Sequence, residues 1–454
     1  MFNKNSYWLK SGIYTLLEKG LTLLFSFGSV FILYRMLSLE EVGIWTQFLA
    51  VTTLIELARN GLIQNGLIKF LSSASKEDYP KILTSSVALN LILTFFSILL
   101  LACSADFVSN FLHAPILEKM LYYYIITTLL LIPFYHFQFI EQANFSFKGL
   151  FFSSLVRQGI FCSLIAIAFF GNFHTDLVDI VLFQMFSILI GSLIAFILTR
   201  KHLKFYKSVD VKWIKKLLNY GKFVFGTNIS GVVFHTIDQV MLGSMKGNAS
   251  VGLYNAAIKI SNIVEVPTAS VAAIIFPQSA KRMETTGRTA LKDLYEKAVG
   301  LILALIIPVS FIILLVPKLL LLLAAGEKYL DAVPILQITI FYTLIAPFTR
   351  QFGTIIDSMG NPRLNFYFIM GSALLNIFLN YIFITNFGLL GAAYGTLTTY
   401  LAMFIFTQIV LNRMFKIRTI NVFGHIFNYY KEGFLLGRSI IKKYVLKTNR
   451  MSNP

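Results

Sequence analysis

Charge is scarce in this sequence. Only 13% of its 454 residues are Asp, Glu, Lys or Arg, while 56% are hydrophobic. A soluble domain carries roughly a quarter charged residues and about half apolar ones, so this chain lacks the polar surface that a water-exposed fold requires. Cysteine is nearly absent as well. Cys103 and Cys162 both stand in apolar stretches, which excludes a disulfide framework or a cysteine-rich metal site and reads as two small buried residues. The N-terminal stretch does not read as a cleavable leader. The first apolar stretch, Ser11 to Leu37, carries Glu18 and Lys19 and has no small-residue cleavage site, so it reads as a membrane helix.

What is abundant is apolar sequence in long blocks, such as Ile82–Cys103 and Leu301–Val316, with a mean hydropathy of +0.72. Blocks of roughly 18 or more apolar residues match a hydrocarbon core about 30 Å thick. Charges and turn residues divide them into twelve expected spans: 11–35, 42–68, 82–104, 118–140, 150–170, 178–199, 219–243, 251–277, 295–317, 333–356, 364–386 and 389–411. The net charge of +18 follows from membrane topology and calls for no nucleic acid. With both termini inside, cytoplasmic segments hold 30 of the 39 Lys and Arg residues and external loops hold 5. That asymmetry orients the chain with both ends in the cytoplasm.

The largest cytoplasmic connection, Arg200 to Lys222, holds eight basic residues, suited to topogenesis and to anionic head groups of membrane lipids. It divides the chain into halves of six spans, 1–205 and 206–411. The halves resemble each other. Val42-Gly43-Ile44-Trp45 matches Val251-Gly252-Leu253-Tyr254 at an offset of 209 residues, and the same offset carries Glu56 onto Glu265. Pro133 and Pro347 mark similar positions in the two halves. An even number of spans per half gives parallel repeats about an axis along the membrane normal. After the last span, residues 412–454 form a basic tail. Its Phe423, Phe427, Tyr430 and Phe434 share one helical face, as expected of a helix lying in the cytoplasmic interface.

The four remaining cations, Lys19, Arg59, Lys259 and Arg350, stand inside the spans. An ionisable residue there costs at least about 2.5–3.5 kcal/mol on insertion scales and therefore faces protein or water. Polar stripes run along the spans that hold them: Thr15, Glu18 and Thr22; Thr52, Glu56 and Arg59; Asn255, Lys259 and Asn262; Thr343, Arg350 and Asp357. Asn228, His235 and Asp238 add another stripe, whereas spans 82–104, 150–170, 178–199 and 295–317 show no comparable charged stripe. The first, second, seventh and eighth spans correspond under the repeat, which favours a shared cavity between the halves. Its cations would meet a crossing anion. The carboxylates Glu18, Glu56, Asp238 and Glu265 could balance them, or titrate if H+ or Na+ drives transport. Glu56 and Arg59, at i and i+3, could instead neutralise each other. His136 and His235 have no second ligand at metal spacing and read as polar core or cavity residues.

Three stretches carry a family resemblance. They are Leu37-Ser-Leu-Glu-Glu-Val-Gly-Ile-Trp45 with Gly66-Leu-Ile-Lys-Phe70; Ile237-Asp-Gln-Val-Met-Leu-Gly243 with Val251-Gly-Leu-Tyr-Asn-Ala-Ala257; and Met359-Gly-Asn-Pro-Arg363 with Asn376, Asn380 and Phe387-Gly-Leu-Leu-Gly-Ala-Ala393. In this order and spacing the chain resembles the polysaccharide transporters of the MOP superfamily, the O-antigen (Wzx-type) flippases related to MATE exporters and peptidoglycan-precursor flippases. The resemblance implies an all-α polytopic membrane protein, MATE-like, with two six-helix lobes around a cavity that opens to each side in turn. It further implies a bacterial inner-membrane flippase and no enzyme, with an undecaprenyl-diphosphate-linked oligosaccharide as substrate and a polysaccharide polymerase as a partner. In the peptidoglycan-precursor group, basic residues on the first, second and eighth helices contact the diphosphate, and Lys19, Arg59 and Lys259 stand on those helices here. No cofactor is implied beyond a coupling ion. The alternative is an ion-coupled exporter of a small molecule, for which Asp238 and Glu265 would matter most. A membrane polymerase or ligase would need a large external loop, and the connections around Ser104–Leu117 and Lys318–Asp331 are short.

Overall fold

The computed structural model describes residues 4–268, 271, 288–359, 362–432 and 434–435, which form helices joined by short connections with no strand among them. Within those helices the side chains of residues 4–16, 19, 223, 224, 288–290, 358 and 362 lie outside the described residues. So do the end of the expected span 251–277, Gly360 and Asn361 of the resemblance motif, and the tail beyond residue 435. The helices are α1 (Lys4–Met36), α2 (Leu39–Gly61), α3 (Gln64–Ser72), α4 (Asp78–Phe111), α5 (Pro115–Ala143), α6 (Phe147–Phe170), α7 (Leu177–Thr199), α8 (Val211–Lys246), α9 (Asn248–Ser261), α10 (Arg288–Leu315), α11 (Pro317–Ala324), α12 (Val333–Ser358), α13 (Pro362–Phe387) and α14 (Leu389–Phe415). A last helix, α15, covers 419–432. Among the described residues, eight helices are long and apolar enough to cross a membrane, those on α4 to α7, α10 and α12 to α14.

The chain is turned inside out relative to a soluble protein. Phe95, Phe107, Phe170 and Phe311 are exposed, while Asn90, His136, Gln138, Asn376 and Asn380 are buried. Hydrocarbon solvates the former, and protein partners must satisfy the latter. His136 sits beside Ser86 (3.2 Å) and Asn90 (3.3 Å), bonds that account for it as a core residue. Of the cysteines, Cys103 faces outward and Cys162 is half-buried, so the reading of both as core residues fails for Cys103. In a membrane helix the outward face is as apolar as the core, and hydropathy does not separate the two.

Two expected spans are broken. The segment 42–68 ends one helix at Gly61 and starts another at Gln64, because the carbonyl of Leu62 lies where the backbone of α8 arrives. A Cβ on Gly221 of α8 would come within 2.1 Å of that oxygen. The segment beginning at Val251 tightens into a 3-10 turn over Asn262–Glu265, just ahead of Pro267. Proline has no N–H to bond the carbonyl four residues back and its ring clashes there, so the turn before it narrows.

The helices gather into two compact units, Met1–Asn255 with Ala324–Tyr329, and Ala256–Leu323 with Leu330–Pro454. In the first, α5 packs on α4 and α7, α1 on α6, and α2 on α8. The connection from Arg200 to Asp210 is pinned along α4. Thr84 exchanges hydrogen bonds with the backbone of Tyr206 (2.8 and 3.3 Å), Ser85 with that of Asp210 (3.0 and 3.2 Å), and Tyr79 donates to the His202 carbonyl (3.2 Å). The repeat motifs meet in this unit. A Cβ on Gly43 would fall 1.8 Å from the Asn248 carbonyl oxygen, and one on Gly252 would fall 2.3 Å from that of Leu39. Each glycine packs on the residue four before the other, so the crossing has the two-fold relation that the 209-residue offset demands.

In the second unit α12 and α13 pack on α14, and α10 packs on α12. Asn380 donates to Asn376 (3.0 Å), which in turn donates to Thr399 (3.3 Å). The asparagines of the resemblance motif thus tie α13 to α14. The tail helix α15 docks through Glu296 of α10, whose carboxylate accepts from the Arg418 amide (3.0 Å) and the Asn421 side chain (3.0 and 3.1 Å). Its Phe423, Phe427 and Tyr430 are exposed, with Phe434 beyond it, while Val422 and Ile426 are buried.

Candidate functional site

Within the first unit, α1, α2, α3, α5 and α6 surround a cavity of about 500 Å³. Its wall is polar for a membrane protein. Glu18 and Thr22 come from α1, Thr53, Glu56 and Asn60 from α2, and Gln64 from the start of α3. Tyr135, Gln138 and Gln142 come from α5, and Ser154, Arg157 and Gln158 from α6. The spacing explains the convergence. Positions i, i+3 and i+7 on α5, and i, i+3 and i+4 on α6, share one helical face.

Glu56 is the most firmly held of these groups. Tyr135 donates to its Oε2 (2.7 Å) and Tyr124 to its Oε1. Both carboxylate oxygens therefore have donors from α5. Arg157 stands across from them, within electrostatic reach of Glu56 and Tyr135 and over the Phe134 ring at 5.0 Å. Gln138 donates to Ser153 (3.0 Å) and Ser154 (3.1 Å). By contrast, the Asn60 Oδ1 is buried and has no hydrogen-bond partner among the described residues.

Arg59 points elsewhere. It is 1% exposed, does not line the cavity, and donates through Nη1 to the Thr128 carbonyl (2.8 Å). That carbonyl lies on the turn of α5 loosened by Pro133, one residue from the carbonyl that the proline leaves without an amide. The guanidinium Nε and Nη2 have no hydrogen-bond partner among the described residues. Glu56 and Arg59 thus make their hydrogen bonds to α5 while staying within electrostatic reach of each other.

The other expected residues fall into separate places. Asp238, also in the first unit, accepts from the Tyr254 hydroxyl (2.5 Å) and the Gln239 amide (2.9 Å). In the second unit Arg350 and Glu265 form a loose ion pair at 3.8 Å, with half of the Arg350 side chain exposed. Lys259 is partly buried on α9. Lys19 lies within α1, and its side chain is outside the described residues.

Sequence reasoning missed the uncharged half of this site and one of its charges. Counting charges by topology assigns Arg157 to the connection ahead of span 150–170, and that span reads as having no charged stripe. The structure corrects both, since Arg157 stands well inside α6. The i, i+3, i+4 pattern of Ser154, Arg157 and Gln158 is the signal that identifies it.

Two family models match this chain: the polysaccharide biosynthesis protein model over residues 8–283 and the MatE model over 224–382. An uncharacterized membrane protein of Methanocaldococcus jannaschii is 27% identical over 57% of this chain and 52% of its own length. The probable low-salt glycan biosynthesis flippase of Haloferax volcanii is 25% identical over 42% of this chain and 40% of its own length. The chain spans about half the length of these curated relatives. Among solved structures, an inward-facing multidrug resistance MATE transporter of the MOP superfamily superposes with a TM-score of 0.76 at 15% identity, covering 86% of this chain and 95% of the other. The lipid II flippase MurJ in an inward closed conformation gives 0.69 at 15% identity, covering 95% and 93%. These neighbours are transporters and flippases, and the shared feature is the fold. With a family model covering well over half of it, this multi-pass membrane chain belongs to the polysaccharide biosynthesis protein family and has a MATE-like fold.

Proposed function

We propose that the protein is a flippase for undecaprenyl-diphosphate-linked oligosaccharides, such as O-antigen or other surface-polysaccharide repeat units. It carries them from the cytoplasmic to the outer leaflet of a bacterial inner membrane. The observation that carries this reading is the hydrophilic cavity built from five helices of a membrane-spanning fold, in a chain of the polysaccharide biosynthesis family. A protein that only had to be stable in lipid would not gather carboxylates, carboxamides and a guanidinium around open space, because each costs free energy there. The glycan flippase and the lipid II flippase among the relatives and neighbours act on related chemistry by name.

In this reading residues 1–205 and 206–411 are the two lobes, both termini are cytoplasmic, and α15 lies in the interface with its exposed aromatic face toward lipid. Lys19, Arg59, Lys259 and Arg350 are the diphosphate contacts. Arg350, half exposed, can take a phosphate directly, whereas Arg59 becomes accessible only when α2 and α5 part. Glu18, Glu56, Asp238 and Glu265 balance these charges or couple transport to H+ or Na+. A polymerase acting on the delivered units is the expected partner.

The test is made in cells that lack the protein. Lipid-linked oligosaccharides are oxidised with periodate that cannot cross the membrane, which reports the share in the outer leaflet. That share falls to background if the reading is right, and returns with the wild-type chain. An unchanged share would contradict it. Cationic-drug sensitivity rising in the same cells would instead support the ion-coupled exporter that the MATE fold also allows.

A further inference from the structure

In the second unit the tail helix α15 begins a line of hydrogen bonds that ends at the bend of α12. We infer that α15 is a lipid-operated lever: anionic head groups of the cytoplasmic leaflet hold it in its seat, and its seat fixes the half of α12 beyond Pro347. In the flippase reading, on which the functional consequence rests, that half presents Arg350 to the diphosphate.

Thr419, at the start of α15, donates to Gln408 Oε1 of α14 (3.0 Å), and Gln408 Nε2 donates to the Tyr295 hydroxyl of α10 (3.1 Å). That hydroxyl donates in turn to the Phe348 carbonyl of α12 (3.0 Å). The order fixes the direction of every bond. A hydroxyl has one proton, and a carboxamide has one donating end and one accepting end. With its oxygen taken by Thr419, Gln408 presents its NH2 to Tyr295, and the tyrosine proton is left for Phe348. Once α15 leaves, Gln408 is free to turn its oxygen toward Tyr295, and the tyrosine proton follows it away from α12. Phe348 is the first residue past Pro347. Proline withholds the amide that would bond the carbonyl four residues back, so Tyr295 reaches α12 where the helix is least able to set its own direction. Arg350 stands two residues further on, half exposed and 3.8 Å from Glu265.

The seat of α15 is close. A Cβ on Gly300 of α10 would fall 2.8 Å from His425 Cβ and 3.3 Å from the Val422 carbonyl oxygen, so α15 crosses α10 against bare backbone. Its other face is open, with Ile420, Phe423 and Phe427 exposed. Between residues 413 and 432, Arg413, Lys416, Arg418 and Lys431 are exposed against a single exposed acid, Glu432. An apolar strip flanked by cations complements the boundary of an anionic leaflet, where rings enter the head-group layer and cations meet phosphate. Lipid that binds the seated helix better than a released one shifts the balance toward the seat, and with it the proton of Tyr295 toward α12.

The experiment is amide hydrogen exchange read by mass spectrometry on the full-length protein, with no substrate present. The protein is held in nanodiscs of phosphatidylcholine alone or of phosphatidylcholine mixed with phosphatidylglycerol. Amides of residues 348–357 are expected to exchange about fivefold more slowly in the anionic discs, the scale of one net hydrogen bond. Thr419→Val keeps the shape of the side chain and removes only its hydroxyl. It should abolish the difference and bring both discs to the faster rate, and Tyr295→Phe should do the same from the other end of the line. Gly300→Ala, which crowds α15 in its seat and leaves the bonding groups intact, should also weaken the response. An unchanged lipid response in Thr419→Val, or wild-type exchange that is equal in the two discs, overturns the inference. So does faster exchange spread evenly over α10 and α13, which would mark general loosening. Failure to move lipid-linked oligosaccharides by a protein whose α12 responds to anionic lipid would count against the flippase reading alone and leave the lever standing.

Discussion

Replacing Gly43 with alanine tests the crossing of the repeated motifs directly. The added methyl would sit 1.8 Å from the Asn248 carbonyl oxygen, and Cβ contacts under 3.0 Å are essentially never observed. The obstacle is backbone on both sides, so no rotamer change relieves it and α2 must separate from α9 by more than an ångström. Overpacking of a tight core costs about 1–3 kcal/mol, and a backbone-on-backbone clash belongs at the upper end. The assay is thermal unfolding in detergent or nanodiscs, where a loss of that size lowers the midpoint by several degrees. Gly252→Ala meets the Leu39 carbonyl at 2.3 Å and should cost somewhat less. Because either methyl forces apart the same pair of backbones, the double variant should cost less than the two singles together. Gly231→Ala and Gly371→Ala are the controls, since neither methyl has a neighbour within 4 Å, and both should leave the midpoint unchanged or slightly raised. A Gly43→Ala protein as stable as wild type, or costs that simply add, would refute the crossing.

Arg59→Met should separate a functional cation from a structural one. Arg59 is buried within electrostatic reach of Glu56 and bonds the Thr128 carbonyl, so the methionine should lower the thermal midpoint and also abolish translocation; translocation that persists in the folded variant would make Arg59 structural. Tyr124→Phe and Tyr135→Phe each remove one donor to Glu56 and should cost about 1.5–3 kcal/mol, as expected for a bond to a charged group, read from chemical or thermal unfolding; silent variants would show that Glu56 is held by other means. Phe427→Trp places a reporter on the exposed face of α15. Its fluorescence should be quenched by lipids brominated near the head group, and the absence of quenching would place that face in water.

Much of the fold was legible because hydrophobic free energy acts on windows of sequence. The segments α4 to α7, α10 and α12 to α14 announce themselves by length and hydropathy alone. The repeat was legible for a different reason: Gly43 and Gly252 sit where only glycine fits, and a shared requirement leaves a shared letter. The breaks at Gly61 and Asn262 were not legible, since one depends on the arrival of α8 and the other on a single proline beyond a continuous apolar run. The site was half legible. Intramembrane charges flag Glu18, Glu56 and Arg59, but charge says nothing of Tyr124, Tyr135 or the carboxamides of α3, α5 and α6, which are uncharged letters in an apolar background. Nor does it show that Arg59 turns away from the cavity its neighbour Glu56 lines, a distinction set by the bond to the Thr128 carbonyl.

The central claim is that this chain moves a lipid-linked glycan between leaflets, and reconstitution tests it most directly. Purified protein in liposomes is given extracted lipid-linked oligosaccharides, and the fraction open to periodate on the far side is followed with time. Transfer that requires the protein and fails with Arg59→Met is the predicted result. Transfer no faster than in protein-free liposomes, with or without a Na+ or H+ gradient, would contradict the account.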